Sequence, residues 1–220
     1  MADTSRKTPT RCILLFARTA EGEARAKRLS RARALFAFAR RRVLAAARSL
    51  PETGVVVVGP RGDLPQRGHG FAERLTNAFA DARALGYREI VAVPTDVPRL
   101  GRLQLAEAFR RLATAPVVLG PSPDGGAYLI GCRNDPSDLF AGVRWQTSQA
   151  FADLAAHAGD PAVLDPLEDV DRWSDVLALS PELIRLVTRL IQVFEFPRLV
   201  SRVAFADPLF QRPPPVSSLA

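Results

Sequence analysis

Five short apolar runs set the limits on what this chain can fold into. They are Cys12 to Ala17 (CILLFA), Gly54 to Val58 (GVVVV), Glu89 to Val93 (EIVAV), Pro116 to Leu119 and Tyr128 to Cys132. Each has strand length and little polar alternation, the pattern of strands buried on both faces. Helical spacing fills most of the gaps. It runs from about Ser30, a plausible N-cap, to Leu50 before Pro51, from Phe71 to Leu85 before a C-cap candidate Gly86, from Arg102 to Ala113, and from Gln149 to His157. Strand and helix in alternation predict an α/β fold around a mostly parallel sheet covered on both faces. Ligands of such sheets bind beyond the carboxyl ends of the strands. Gly59 to Gly70, with four glycines and two prolines, is a loop, Pro166 to Val170 reads as a short extended piece, and a further helix begins at Ser174.

Three acidic segments punctuate this pattern. Thr95-Asp96-Val97-Pro98 follows the third strand. Pro123-Asp124-Gly125-Gly126 joins the fourth apolar run to the fifth. Glu168-Asp169-Val170-Asp171 precedes the last helix of the α/β region. Each has a plain reading, since a strand-end Asp caps helices and Asp-Gly makes hairpin turns. Together they also suit a divalent ion and a phosphorylated ligand, because Mg²⁺ takes one or two carboxylates alongside phosphate oxygens. Gly125 and Gly126 would let a ligand approach bare backbone.

Charge sharpens the second reading. The net charge is +7, yet residues 1–50 hold 13 basic and 3 acidic side chains, so the rest of the chain is net acidic. A basic first third suits an anionic partner, phosphate first, and a solvated helix face is the plain alternative. Lys27 and Arg28 are candidate phosphate-facing cations, and Lys27 stands out because only Lys7 and Lys27 among the 30 basic residues are lysine. Nucleic acid is disfavoured, because no aromatic residues interleave with the charges. Neither G-x-G-x-x-G nor G-x-x-x-x-G-K-[ST] follows a strand. His69, His157, Cys12 and Cys132 lack zinc spacing, and both cysteines sit in apolar runs as buried reduced thiols. No apolar run approaches the ~20 residues of a membrane span, and the run at Cys12 is too short for a signal sequence. The cytoplasm is therefore the expected compartment.

Residues 11–180 form the expected main domain, and 181–211 an amphipathic helical extension with a wide apolar face. That face must pack on the core or on a second copy of the chain, with a membrane surface as the minority alternative. Residues 1–10 and the proline-rich 212–220 are expected to be disordered.

Across residues 11–178 the chain resembles the GT-A nucleotide-diphospho-sugar transferases, in particular the small bacterial radical-SAM/selenodomain-associated, or arsenosugar-biosynthesis-type, glycosyltransferases. The ordered segments that carry the likeness are Leu14-Leu15-Phe16-Ala17-Arg18, Gly22 with Lys27-Arg28-Leu29, Gln66 to Leu75 (QRGHGFAERL), Thr95-Asp96-Val97-Pro98, Val118 to Gly131, Phe140 to Thr147 (FAGVRWQT) and Asp169-Val170-Asp171 with Asp175. The departures are Glu21 before Gly22, a longer spacing from Gly22 to Lys27, Ala26-Lys27-Arg28 without the family's Thr, Pro94 before Thr95, Ala127, and Arg172-Trp173. The resemblance implies a Rossmann-like three-layer sandwich and a metal-dependent glycosyltransferase using a nucleotide-activated sugar and a small-molecule acceptor. It implies Mg²⁺ or Mn²⁺ held by Asp96 and Asp171 with help from Asp169. It places the nucleotide near Gly22, Lys27, Arg28, Arg74 and Thr95. Gly120, Asp124, Gly125, Gly126, Trp145 and Thr147 would face the sugar or its acceptor, with Asp124 as base or hydroxyl-orienting group and Asp96 at the reacting centre. A nucleotidyltransferase of the same fold and a non-catalytic binding protein are the two alternatives.

Overall fold

The computed structural model describes residues 9–29, 32–172 and Asp175, all within the first of two compact units, residues 1–178. Ser30, most of the expected loose ends, the helix beginning at Ser174 apart from Asp175, and the extension at 181–211 lie outside the described residues.

Six strands form one sheet: β1 (Arg11–Phe16), β2 (Thr53–Val58), β3 (Glu89–Val93), β4 (Val117–Pro121), β5 (Ala127–Cys132) and β6 (Ala162–Val163). Their spatial order is β2-β1-β3-β5-β4-β6. β1 pairs parallel with β2 and β3, and β4 pairs parallel with β6. β5 alone runs antiparallel, wedged between β3 and β4. The helices are α1 (Ala20–Ala26), α2 (Arg33–Arg48), α3 (Gly70–Ala84), α4 (Arg102–Leu112), α5 (Ser137–Phe140) and α6 (Ala150–Ala158). This is the expected mostly parallel α/β architecture.

Two apolar layers cover the sheet, as continuous apolar strands require. Successive residues of β1 divide between them, because strand side chains alternate. Ile13 and Leu15 join Val43 of α2 and Leu105 and Leu112 of α4. Cys12 and Leu14 join Phe79 of α3, Phe140 of α5 and Leu154 of α6. Cys12 and Cys132 are free, buried thiols, each pushed up to about 12 first by burial. Phe16, Phe71, Trp145, Phe140 and Phe79 form a chain of edge and tilted ring contacts with centroids 5.0–5.7 Å apart. No helix among the described residues is long and apolar enough to cross a membrane.

The structure corrects the sequence expectations locally. Thr10 is tied to the sheet, its carbonyl accepting from Arg88 N at 2.8 Å. The charged stretch after β1 contains α1, whose N-cap Thr19 accepts from Gly22 N at 2.9 Å. α5 is a further unexpected turn of helix. The extended piece at 166–170 is no strand, and the edge strand is the shorter β6 just before it. The segment after β6 is instead held bond by bond. Leu164 N donates to Leu119 O, Leu167 N to Pro121 O, and Val170 N to Asp96 O, at 2.9–3.2 Å. Tyr128 Oη donates to Asp165 O at 2.9 Å. A register shift at Gly120/Pro121 accompanies this change of direction.

Candidate functional site

A cleft of about 560 Å³ opens beyond the carboxyl ends of β1 and β3. That volume lies in the range of small-molecule sites. Its charged lining includes Arg18, Glu23, Lys27, Arg74, Asp96, Asp124, Asp169, Asp171 and Arg172. Phe16, Phe71, Tyr128 and Trp145 supply the aromatic part.

Asp96 follows β3 and is only 8% exposed. The backbone bond from Val170 N to Asp96 O brings the 169–171 segment over the strand end. Carboxylate oxygens of Asp96, Asp169 and Asp171 thereby lie within 4.8 Å of one another. The Lys27 ammonium, delivered by the C-terminus of α1, donates to Asp96 Oδ2 at 2.5 Å and to the Val170 carbonyl at 2.8 Å, and pairs with Asp171 Oδ1 at 2.5 Å. Burial works against its charge, but Asp96 and Asp171 outweigh burial and raise its pKa above the ordinary lysine value. Arg28, just past the helix, sits at φ 56°, and Leu29 N returns to Ala24 O at 2.7 Å. A non-glycine residue in that region costs about 1–2 kcal/mol, so the sharp reversal that seats Lys27 carries strain.

The three carboxylates fit a hard divalent cation, which takes oxygen ligands. Asp96 Oδ1 is buried and reached by no donor, as is Oε2 of Glu23. Glu23 is pushed up to about 7, first by burial and then by the Asp96 carboxylate. Asp169 is also raised to about 7, by burial first and then by Asp171, Asp96 and Asp124. Burial and the crowding of carboxyl groups around Lys27 thus favour the protonated form of both acids.

Asp124 sits in the five-residue loop between β4 and β5, so the Asp-Gly-Gly stretch is a hairpin turn and a wall of the cleft at once. Its Oδ1 accepts from Gly126 N at 2.9 Å. Gly125 has φ 88°, and a Cβ there would meet Ser148 O at 2.1 Å. Arg74, Gly126, Trp145 and Thr147 also line the cleft. Trp145 Nε1 is buried without a partner, while Thr147 Oγ1 donates to Arg144 O at 2.6 Å.

Gly22, Arg28, Thr95, Gly120 and Gly125 do not line the cleft. Gly22 belongs to the first turn of α1. Thr95 is buried beside Asp96. Gly120 makes room for the Tyr128 ring, which an added Cβ would meet at 2.6 Å. Lys27, expected to face a diphosphate, spends all three of its donors on Asp96, Asp171 and Val170. Glu23 escaped the sequence reading altogether. Its signal is the four-residue spacing to Lys27, which puts both on one face once the segment is recognised as helix.

Residues 23–147, more than half of the chain, match a family model described as "Uncharacterized protein conserved in bacteria (DUF2064)". The chain belongs to the DUF2064 family. The matched stretch of this DUF2064 chain runs from Glu23 through Lys27, Asp96 and Asp124 to Thr147 and stops short of Asp169 and Asp171. No curated protein matches the sequence. Among solved structures, the fold is similar to a "putative nucleotide-diphospho-sugar transferase" from Desulfovibrio desulfuricans G20, with TM-score 0.66 and 22% identity, covering 85% of this chain and 99% of that one. A homologue of Mycobacterium tuberculosis Rv0371c from Mycobacterium sp. strain JC1 matches at TM-score 0.48 and 15% identity, covering 84% of this chain and 98% of that one. The first likeness shows that this DUF2064 member shares the Rossmann-like α/β fold of that structure.

Proposed function

We propose that this DUF2064 protein is a divalent-metal-dependent transferase that moves a sugar from a nucleotide-activated donor to a small-molecule acceptor. The observation that carries the reading is the cluster of Asp96, Asp169 and Asp171 at the carboxyl edge of the sheet. The radical-SAM-associated group named by sequence resemblance is the subfamily this reading favours.

In this reading Asp96 and Asp171, with Asp169, hold Mg²⁺ or Mn²⁺. The bound ion supplies countercharge to the diphosphate leaving group. Arg74, Arg18 and Arg172 line the same cleft and offer planar guanidinium forks to phosphate oxygens. Arg28 and Gly22 support α1 from outside the lining. Phe16, Phe71 and Trp145 give flat apolar surface to a base or sugar face. The unpartnered Trp145 Nε1 is a donor for a ligand oxygen. Asp124 keeps Oδ1 on Gly126 N and has Oδ2 left to accept a proton from an acceptor hydroxyl, or to orient it.

The test is a thermal-shift panel of UDP-, GDP- and TDP-sugars with and without Mn²⁺, followed by assay of nucleoside diphosphate release. A ligand at 100 times its Kd adds about 2.7 kcal/mol to stability. We expect one sugar nucleotide to stabilise the protein only with metal, and Asp96→Ala to abolish the shift. Pyrophosphate release from a nucleoside triphosphate would instead identify a nucleotidyltransferase. No stabilisation under any metal condition would identify a non-catalytic binding protein.

A further inference from the structure

We propose that the Lys27 ammonium is a resident counter-ion that occupies the cation position between Asp96 and Asp171, so that lysine and divalent ion exchange there and Lys27 regulates metal entry. The proposal rests on the reading of Asp96, Asp169 and Asp171 as the metal-holding set, and not on the identity of the donor.

Three distances carry it. Lys27 Nζ lies 2.5 Å from Asp96 Oδ2, 2.5 Å from Asp171 Oδ1 and 2.8 Å from Val170 O. The Lys27 side chain is 11% exposed. A Mg²⁺ ion binding the same two carboxylate oxygens sits about 2.0–2.1 Å from each. That is the volume the ammonium fills. Two cations sharing the same carboxylates also repel each other, even where the second oxygens of the carboxylates are used.

An acidic cluster with one lysine is an ordinary ion pair unless something else asks for a cation. Here two buried oxygens do. Glu23, 8% exposed and outside the cluster, presents Oε2 without a hydrogen-bond donor, as does Asp96 with Oδ1. Arg18 Nη1 approaches Glu23 Oε2 no closer than 3.6 Å. The Lys27 ammonium and the more distant Arg18 guanidinium thus face four carboxyl groups, those of Glu23, Asp96, Asp169 and Asp171. Residue type points the same way. Of the 30 basic side chains only Lys7 and Lys27 are lysine, and a compact ammonium can fill an ion-sized position that a planar guanidinium cannot. Exchange would also free the ammonium to turn toward an anionic ligand in the cleft, which its present bonds prevent.

The experiment measures Mn²⁺ binding to the full chain by calorimetry after chelator treatment, comparing wild type, Lys27→Met, Lys27→Gln and the double variant Lys27→Met/Asp96→Asn. We expect at least tenfold tighter Mn²⁺ binding in both single variants, lost again in the double variant. A second measurement needs no variant. Acetylation of Lys27 by acetic anhydride, read by mass spectrometry against Lys7 as internal reference, should rise several-fold at saturating Mn²⁺. Unchanged or weaker Mn²⁺ binding in the Lys27 variants overturns the proposal, and so does Lys27 labelling that ignores Mn²⁺. Tighter binding in the variants without any sugar-nucleotide binding would sink the functional reading alone. Sugar-nucleotide binding with Mn²⁺ affinity indifferent to Lys27 would sink the exchange alone.

Discussion

Asp96 and Asp124 both follow an apolar strand and both line the cleft, yet they sit in different surroundings. Asp96 ends a central strand flanked by a parallel and an antiparallel neighbour, and the 169–171 segment and Lys27 close over it. It is buried, and one of its oxygens has no donor. Asp124 occupies a hairpin loop, remains exposed, and spends one oxygen on the backbone of its own turn. On the Asp96 side the chemistry of side chains determines the local structure. On the hairpin side the backbone does, through Gly125. An acid at the end of a crowded strand gathers charge partners, while an acid in a turn is left free for whatever enters the cleft.

The largest expected effect tests the hairpin. Gly125→Val combines positive φ with a clash against Ser148 O, and should cost about 3 kcal/mol or more in urea unfolding. A loss below about 1 kcal/mol would mean the backbone there is not decisive. Next is Asp96→Ala in metal-free buffer. It removes one of the two carboxylates of Lys27, and because Asp171 remains and is half-exposed, the loss should be about 2 kcal/mol, below the usual figure for breaking a buried pair. The same variant should lose Mn²⁺ binding, and retained binding would move the metal away from this strand end. Thr19→Ala, which removes the side-chain cap of α1, should cost about 1 kcal/mol by the same unfolding assay. Because α1 carries Glu23 and Lys27, its loosening should also raise Lys27 acetylation. The smallest structural effect belongs to Asp124→Asn, which keeps the oxygen that Gly126 N binds. Its stability should stay within about 0.5 kcal/mol of wild type. Its Mn²⁺ affinity should be unchanged while nucleoside diphosphate release falls, and a shift in Mn²⁺ affinity would erase the distinction between the two aspartates.

The sequence displays the strands well because a strand buried on both faces must be apolar along its length. Long amphipathic helices such as α2 and α4 are legible for the related reason that one face meets the core. Asp96, Asp124, Asp169 and Asp171 reach one cleft as the ordered motifs imply. What the sequence hid has a common cause. α1 buries Glu23 along with Ala24, so its inner face is charged and shows no apolar stripe. β6 has two residues and depends on backbone bonds to β4, which no side-chain pattern records. The antiparallel β5 is apolar like its parallel neighbours, so its direction is set by the hairpin and not by its composition. The engagement of Lys27 with carboxylates depends on Val170 and Asp171, far along the chain.

That last separation bears on how the protein is made. Lys27 and Val170 are 143 positions apart, and Asp96 meets Asp171 only when the segment after β6 has bonded along β4 and across the end of β3. Until that segment is synthesised and docked, Asp96 lacks both other acids of its cluster, Asp169 and Asp171. The carboxylate cluster is therefore the last part of this sheet edge to be completed as the chain is made, and a chain interrupted before residue 169 would lack two of its three acids, Asp169 and Asp171.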